Sequence, residues 1–201
     1  MKINDVLELR QLYAQASGRA VQKQLAQLEK HSESFLGLSP FCTLSTYSAL
    51  GTLDCSPRGG EPGFVRVINQ KTIAIADASG NNRLDTLTNI VETGKIGCLF
   101  LVPGIDETLR INGNAYISVD PMDLTFYSGA KNMPKSVIII EIQELYLHCA
   151  KSLMRSKLWH QGSIQDRDVL PTMARMIADQ IDDKSPLETQ QQMIARYTQQ
   201  L

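Results

Sequence analysis

Apolar residues recur at helical spacing through the first thirty positions. Ile3, Val6, Leu7, Tyr13, Ala16, Val21, Leu25 and Leu28 fall near this period, with Gln, Lys and Glu between them. The pattern predicts an amphipathic helix over 3–30, weakened at Gly18. Residues 31–40 read as a connector ending at Pro40. From Phe41 onward the composition is that of strands. Phe41–Tyr47 and Thr52–Ser56, around a turn at Ser48–Gly51, predict a hairpin. Phe64–Asn69 and Thr72–Ala76 predict a second strand pair, turning at Asn69–Lys71. Helical spacing returns over Asn81–Thr93, with Leu84, Leu87, Ile90 and Val91 on one face. Asn81 or Asn82 is the expected N-cap, and Gly94 the terminator. Lys95–Val102 reads as a buried strand, and Leu109–Val119 as a strand bulged at Asn112-Gly113-Asn114. Pro121–Tyr127 reads as a short helix. Ser136–Leu147 reads as a long strand whose Val137–Ile140 run needs cover on both faces. Beyond Cys149 the pattern is helical over Ala150–Trp159, Thr172–Ile181 and Pro186–Leu201, with a polar loop at 160–169.

Six or seven strands joined by short turns imply an antiparallel sheet, and closure into a barrel is its simplest way to remove edges. The fold class read from this pattern is mainly β (α+β). Its expected parts are an N-terminal helical segment over 1–34, a barrel over 35–160 and a helical extension over 161–201.

Charge and cysteine usage narrow the function. The formal net charge of the 201 residues is -1, so a basic nucleic-acid or anionic-membrane binder is not expected, and any anion site must be local. No apolar run approaches the roughly 20 residues of a membrane span. Met1–Asp5 shows no signal-peptide pattern. Cys42, Cys55, Cys98 and Cys149 are far apart and form no CxxC pair. They read as buried, reduced thiols of a cytoplasmic protein, and no structural zinc site is expected.

The candidate chemistry gathers in two stretches. Ser56-Pro57-Arg58-Gly59-Gly60 reads as a glycine-broken loop from which Arg58 can reach a ligand. Ser79-Gly80-Asn81-Asn82-Arg83 reads as a polar turn into a helix, whose free N–H groups suit a phosphate. Arg83 adds a donor fork there, and its bland alternative is a pair with Asp85. Arg66 interrupts an apolar strand and needs a partner, either a ligand phosphate or a carboxylate such as Glu61 or Asp77. Thr108, Arg110 and Asn112 share a strand face, which marks a groove or a solvent face. His148 and Lys151 face one way if a helix starts there, and otherwise are a strand-end histidine and a surface lysine.

In order along the chain stand Phe41-Cys42-Thr43-Leu44-Ser45-Thr46, Ser56–Gly60, Pro62–Val67, Gly80–Asp85, Leu99–Gly113 and His148–Ser152. Together they resemble the pyridoxamine 5'-phosphate oxidase-like flavin-nucleotide-binding family, in particular a branch carrying SPRGG and GNNRLD. The resemblance covers roughly 35–160. It implies a split β-barrel homodimer with FMN at the subunit interface, serving a small-molecule substrate or electron donor. It implies FMN phosphate contacts from Arg58 or Arg66 and from Asn82 and Arg83, and it makes Ser56, Arg110 and Lys151 further candidates for the cofactor site. The implied activity is an FMN-dependent oxidoreductase. The alternatives are a flavin store or sensor, or a barrel using deazaflavin, or haem through His31 or His148. The tail is Gln-rich, and Arg155 and Trp159 lack the setting of the B6-substrate segment, so that substrate is not implied.

Overall fold

Alternating burial from Phe41 to His148 builds seven strands. They are β1 (Phe41–Tyr47), β2 (Leu53–Gly59), β3 (Val65–Asn69), β4 (Thr72–Ala76), β5 (Lys95–Leu101), β6 (Thr108–Ser118) and β7 (Val137–His148). They form one sheet in the order β2-β1-β5-β6-β7-β4-β3, with every pairing antiparallel. The structure, a computed structural model, describes residues 2–78 and 80–200, and the expectation for Ser79 lies outside them. The chain divides into two compact units, Met1–Arg155 and Ser156–Leu201.

Inward residues of the sheet make the main core. Cys42, Leu44, Ile73, Ile75, Cys98, Phe100, Leu109, Ile111, Ile138 and Ile140 are all buried there. Each fully buried leucine or isoleucine contributes about 1.5–3 kcal/mol of transfer free energy. Val137 and Ile139 belong to a second cluster with Ala74 and Tyr127, so the start of β7 is covered on both faces as expected. The bulge is also where the sequence places it, with the β6–β7 register shifting between Asn112 and Gly113. A Cβ at Gly113 would lie 2.1 Å from the Glu141 carbonyl oxygen, so only glycine fits.

Full closure of the barrel is not observed. β2 and β3 are the two edges of the sheet and pair only with β1 and β4. The barrel is split, and the N-terminal segment pairs instead with a stretch of β7. Leu25 exchanges backbone hydrogen bonds with Leu145 where β7 has passed the end of β4. Leu28, buried in the core, donates its N–H to the Gln70 carbonyl.

That pairing also explains why no single helix spans 3–30. Leu25 must be extended to pair, and Gly18 takes a left-handed φ of 54°. The segment instead forms α1 (Val6–Leu12), capped by Asp5, and α2 (Arg19–Gln22), neither of which buries a residue. The expected connector at 31–40 is mostly helix: α3 (Lys30–Leu38) buries Leu36 and starts with Glu29 and Ser32 capping each other. α4 runs over Asp85–Thr93 and ends at Gly94 as expected, but it starts four residues later than Asn81. Neither Asn81 nor Asn82 is its cap, because Leu84 occupies that position in a left-handed conformation.

Ser56, Pro57 and Arg58, expected in a loop, lie inside β2. An edge strand tolerates Pro57, whose missing N–H would break a ladder in a central strand. After β6 come α5 (Pro121–Leu124) and a short 3₁₀ turn carrying Tyr127. After β7 come α6 (Lys151–Ser156), α7 (Met173–Ile181), capped by Thr172, and α8 (Gln190–Gln200).

Candidate functional site

Because side chains alternate along a strand, Asp54, Ser56 and Arg58 share one face of β2. Asp54 is the hub of that face. Its Oδ1 accepts the Ser56 hydroxyl at 2.8 Å. Its Oδ2 accepts Thr86 at 2.6 Å from the first turn of α4, and Thr46 at 3.4 Å from β1. Asn89, one turn along α4, donates its side-chain amide to the Thr46 hydroxyl at 3.0 Å. Thr46, Thr86 and Asn89 are all buried, so this network joins β1, β2 and α4 beneath the helix start. A carboxylate answered by several donors satisfies the requirement that buried polar groups be paired.

The start of α4 is otherwise open. Leu84 offers no side-chain acceptor, so among the described residues no side chain caps the helix there. The approach is a turn in which the Asn81 Oδ1 accepts the Arg83 N–H at 3.1 Å and Asn82 takes φ 61°. The Arg83 guanidinium points to solvent, with its side chain 74% exposed, and is 2.8 Å from Asp85. Asp85 raises the Arg83 pKa by hydrogen bond and charge, and Asp54 adds a smaller contribution. Arg58 is half-buried and donates to the Pro57 carbonyl at 2.8 Å. Burial raises the Asp77 carboxyl pKa, while the charges of Arg58 and Lys135 oppose that rise. Burial likewise pushes the Cys42 thiol up to about 12, with Arg58 opposing.

Those contacts draw Ser56, Asn82 and Arg83 to the β2–α4 edge, with Arg58 on the same strand face as Ser56. The Ser56 hydroxyl is committed to Asp54. Arg66 lies elsewhere. It projects on the face of β3 opposite Val65, with its guanidinium 5.6 Å from the Tyr127 ring centroid and donating to the Gly63 carbonyl at 3.0 Å. The Tyr127 hydroxyl shares its proton between the Ala74 and Phe64 carbonyls, at 2.8 and 3.1 Å.

Arg110 belongs to a third place, on the outer face of β6 and β7. Its Nη2 meets Glu144 at 3.0 Å, and Asn112 donates to the same carboxylate oxygen at 2.6 Å. Gln24 donates to the other oxygen at 2.6 Å, and Lys23 donates to the Leu147 carbonyl at 2.7 Å. The Tyr146 ring has Lys23 at 5.0 Å and Arg110 at 5.1 Å from its centroid, with the His148 ring 4.9 Å away. Burial first, then the charges of Arg110 and Lys23, lower the His148 pKa. Arg110 Nε is buried without a partner. Lys151 opens α6 and is exposed.

Asp54, Thr46, Thr86 and Asn89 were missed by sequence reasoning. Their signal was present as Asp54, Ser56 and Arg58 at period two and Thr86 with Asn89 at i, i+3. Of the cysteines, Cys42 and Cys98 are buried, whereas Cys55 and Cys149 are exposed, against expectation. Cys55 lies on the face of β2 turned away from Asp54, and Cys149 follows the end of β7. Among the described residues no helix is long and apolar enough to cross a membrane, and no group of three or more His, Cys, Asp or Glu is placed to hold a metal.

Seven antiparallel strands around a main core, with a helix laid across one edge, define a split-barrel protein. The chain belongs to the pyridoxamine 5'-phosphate oxidase family, whose model matches residues 28–149. No curated protein matches it. Among solved structures, HupZ of Group A Streptococcus is similar at 19% identity and a TM-score of 0.51, covering 60% of this chain and 93% of that one. A variant of the same protein matches with the same identity and TM-score, covering 60% of this chain and 98% of that one. The FAD binding protein from Mycobacterium smegmatis is similar at 13% identity and a TM-score of 0.44, covering 62% of this chain and 97% of that one. At 19% identity the likeness to HupZ shows the fold.

Proposed function

We propose that the protein binds FMN non-covalently, with the phosphate at the β2–α4 edge, and acts as an FMN-dependent oxidoreductase. The observation that carries this reading is the open start of α4. In a chain of a flavin-binding family, that helix begins without a side-chain cap and with Arg83 beside it. A helix N-terminus presents unpaired N–H groups and partial positive charge, which suit a phosphate.

The residues present fit the group. Among the described residues Arg83 is held by an exposed pair with Asp85, which solvent screens. A phosphate at the helix start offers the guanidinium a bidentate, doubly charged partner, so exchanging Asp85 for phosphate is favourable. Arg58, half-buried on the Asp54 face of β2, is the second cation, and Asn82 shapes the turn through its left-handed backbone. Arg66 lies against Tyr127 and Arg110 against Glu144, both away from the β2–α4 edge, so the reading rests on Arg58 and Arg83. When bound, the flavin supplies hydride or electron transfer between a nicotinamide or small organic donor and an acceptor. The chain supplies binding, orientation and local charge. We place the flavin at a homodimer interface, and the protein in the cytoplasm, in keeping with four free cysteines.

Purification tests the reading. The protein should carry flavin absorbance bands and release FMN on heating. Colourless protein that takes up no added FMN would contradict it. Anaerobic mixing with reduced nicotinamides should bleach the flavin, and failure with every donor tried would leave a store rather than an enzyme.

A further inference from the structure

α4 is entered through an unfavourable turn. Asn82 and Leu84, two non-glycine residues within three positions, take φ 61° and 60°. Asparagine tolerates this conformation, but leucine is sterically disfavoured in it. Leu84 is half-exposed, so burial of its own side chain does not hold the turn in place. Such a conformation persists when its surroundings over-determine it.

The restraint lies two residues further on. Thr86 is buried and donates to Asp54 at 2.6 Å, the shorter of the two bonds to that carboxylate oxygen. Asp54 is in turn fixed by Ser56 at 2.8 Å, and it reaches α4 a second time through Thr46 and Asn89. A carboxylate is a poor ligand for a phosphate, because like charges repel. As an anchor it is well suited. Its hydrogen-bonding partners are hydroxyls, so it holds the helix without consuming either arginine.

We propose that Asp54 is the positioning residue of the phosphate site. It acts through Thr86 to fix the first turn of α4, and with it the direction of the open N–H groups and of Arg83. This inference rests on the flavin reading above and assigns Asp54 no contact with the ligand.

The test compares FMN with riboflavin, which lacks the phosphate, by titrating flavin-free protein and following flavin fluorescence. Asp54→Ala should weaken FMN binding at least tenfold and change riboflavin binding less than twofold. Thr86→Val should do the same, and Thr86→Ser, which keeps the hydroxyl, should restore wild-type affinity. Asp54→Asn keeps one acceptor and removes a negative charge, so its loss should be smaller than that of Asp54→Ala. Combining Asp54→Ala with Thr86→Val should cost no more than Asp54→Ala alone, since that variant has already lost the Thr86 contact. Wild-type FMN affinity in Asp54→Ala and Thr86→Val would overturn the proposal. So would equal losses for FMN and riboflavin, which would mark a general structural role. If Asp54→Ala fails to fold, the Thr86→Val and Thr86→Ser pair decides by the same criteria. Wild-type protein that binds neither flavin would remove the flavin reading itself, and this inference with it.

Discussion

Two carboxylates organise two arginine-bearing clusters in this protein, and they are satisfied differently. Glu144 is answered by Arg110, Asn112 and Gln24, so a cation and two amides meet one anion. That cluster is balanced in charge and fastens the segment around Lys23–Leu25 to β7. Asp54 is answered by Ser56, Thr86 and Thr46. Hydroxyls satisfy its oxygens without a cation, so among the described residues Arg83 keeps its exposed partner Asp85. An arginine spent on a half-buried carboxylate is structural. One left in a surface pair beside an uncapped helix is available to a ligand.

The comparison predicts opposite phenotypes for the two arginines. Arg83→Ala should weaken FMN binding roughly 10–100-fold, with an unchanged melting temperature. Arg110→Ala should instead lower the melting temperature and leave FMN affinity within about twofold. Matched titrations and melts check both, and exchanged phenotypes would reverse the assignment. Glu144→Ala comes next in size, removing three hydrogen bonds from a partly exposed cluster. After discounting for solvent, about 1–2 kcal/mol of stability should be lost, measured by urea unfolding.

Smaller effects sharpen the comparison. Leu84→Gly relieves the left-handed turn and should raise stability by about 0.5–1 kcal/mol in the same urea assay. A loss of stability would show that the leucine side chain matters more than its backbone strain. His148 reports on the Glu144 cluster, and its pKa is lowered in the fold. Its contribution to stability is therefore present above the unfolded value of about 6.5 and is lost as pH falls through the folded value. Melting temperatures measured between pH 7.5 and 5 should decline less in His148→Gln than in the wild type. Identical slopes would detach His148 from the cluster.

Much of the sheet was legible in the sequence. Phe41–Tyr47 and Thr72–Ala76 match their strands end to end, and the bulge at Asn112–Gly113 was readable from its glycine. These features depend on local alternation and turn residues. Three others depend on distant contacts. Leu25 looks helical by spacing but is extended because it pairs with Leu145. Lys30–Leu38 looks polar, yet forms a helix because Leu36 reaches the core and Glu29 and Ser32 cap its start. The split of the barrel depends on whether β2 and β3 meet, which no strand pattern encodes. In the candidate site, Arg83 beside a helix start was legible, although the helix begins later than expected. Asp54 was overlooked because a carboxylate beside a proposed anion site is unattractive until its hydroxyl partners are seen. Arg66 and Arg58 could not be separated until the sheet put Arg58 on the Asp54 face of β2 and Arg66 beside Tyr127 on β3.

The central claim is that this chain grips a flavin by its phosphate at the start of α4. Titrating flavin-free wild-type protein with FMN and with riboflavin under identical conditions tests it most directly. The account predicts that FMN binds at least tenfold more tightly, the equivalent of about 1.4 kcal/mol from the phosphate contacts. Equal affinities for the two flavins would contradict it.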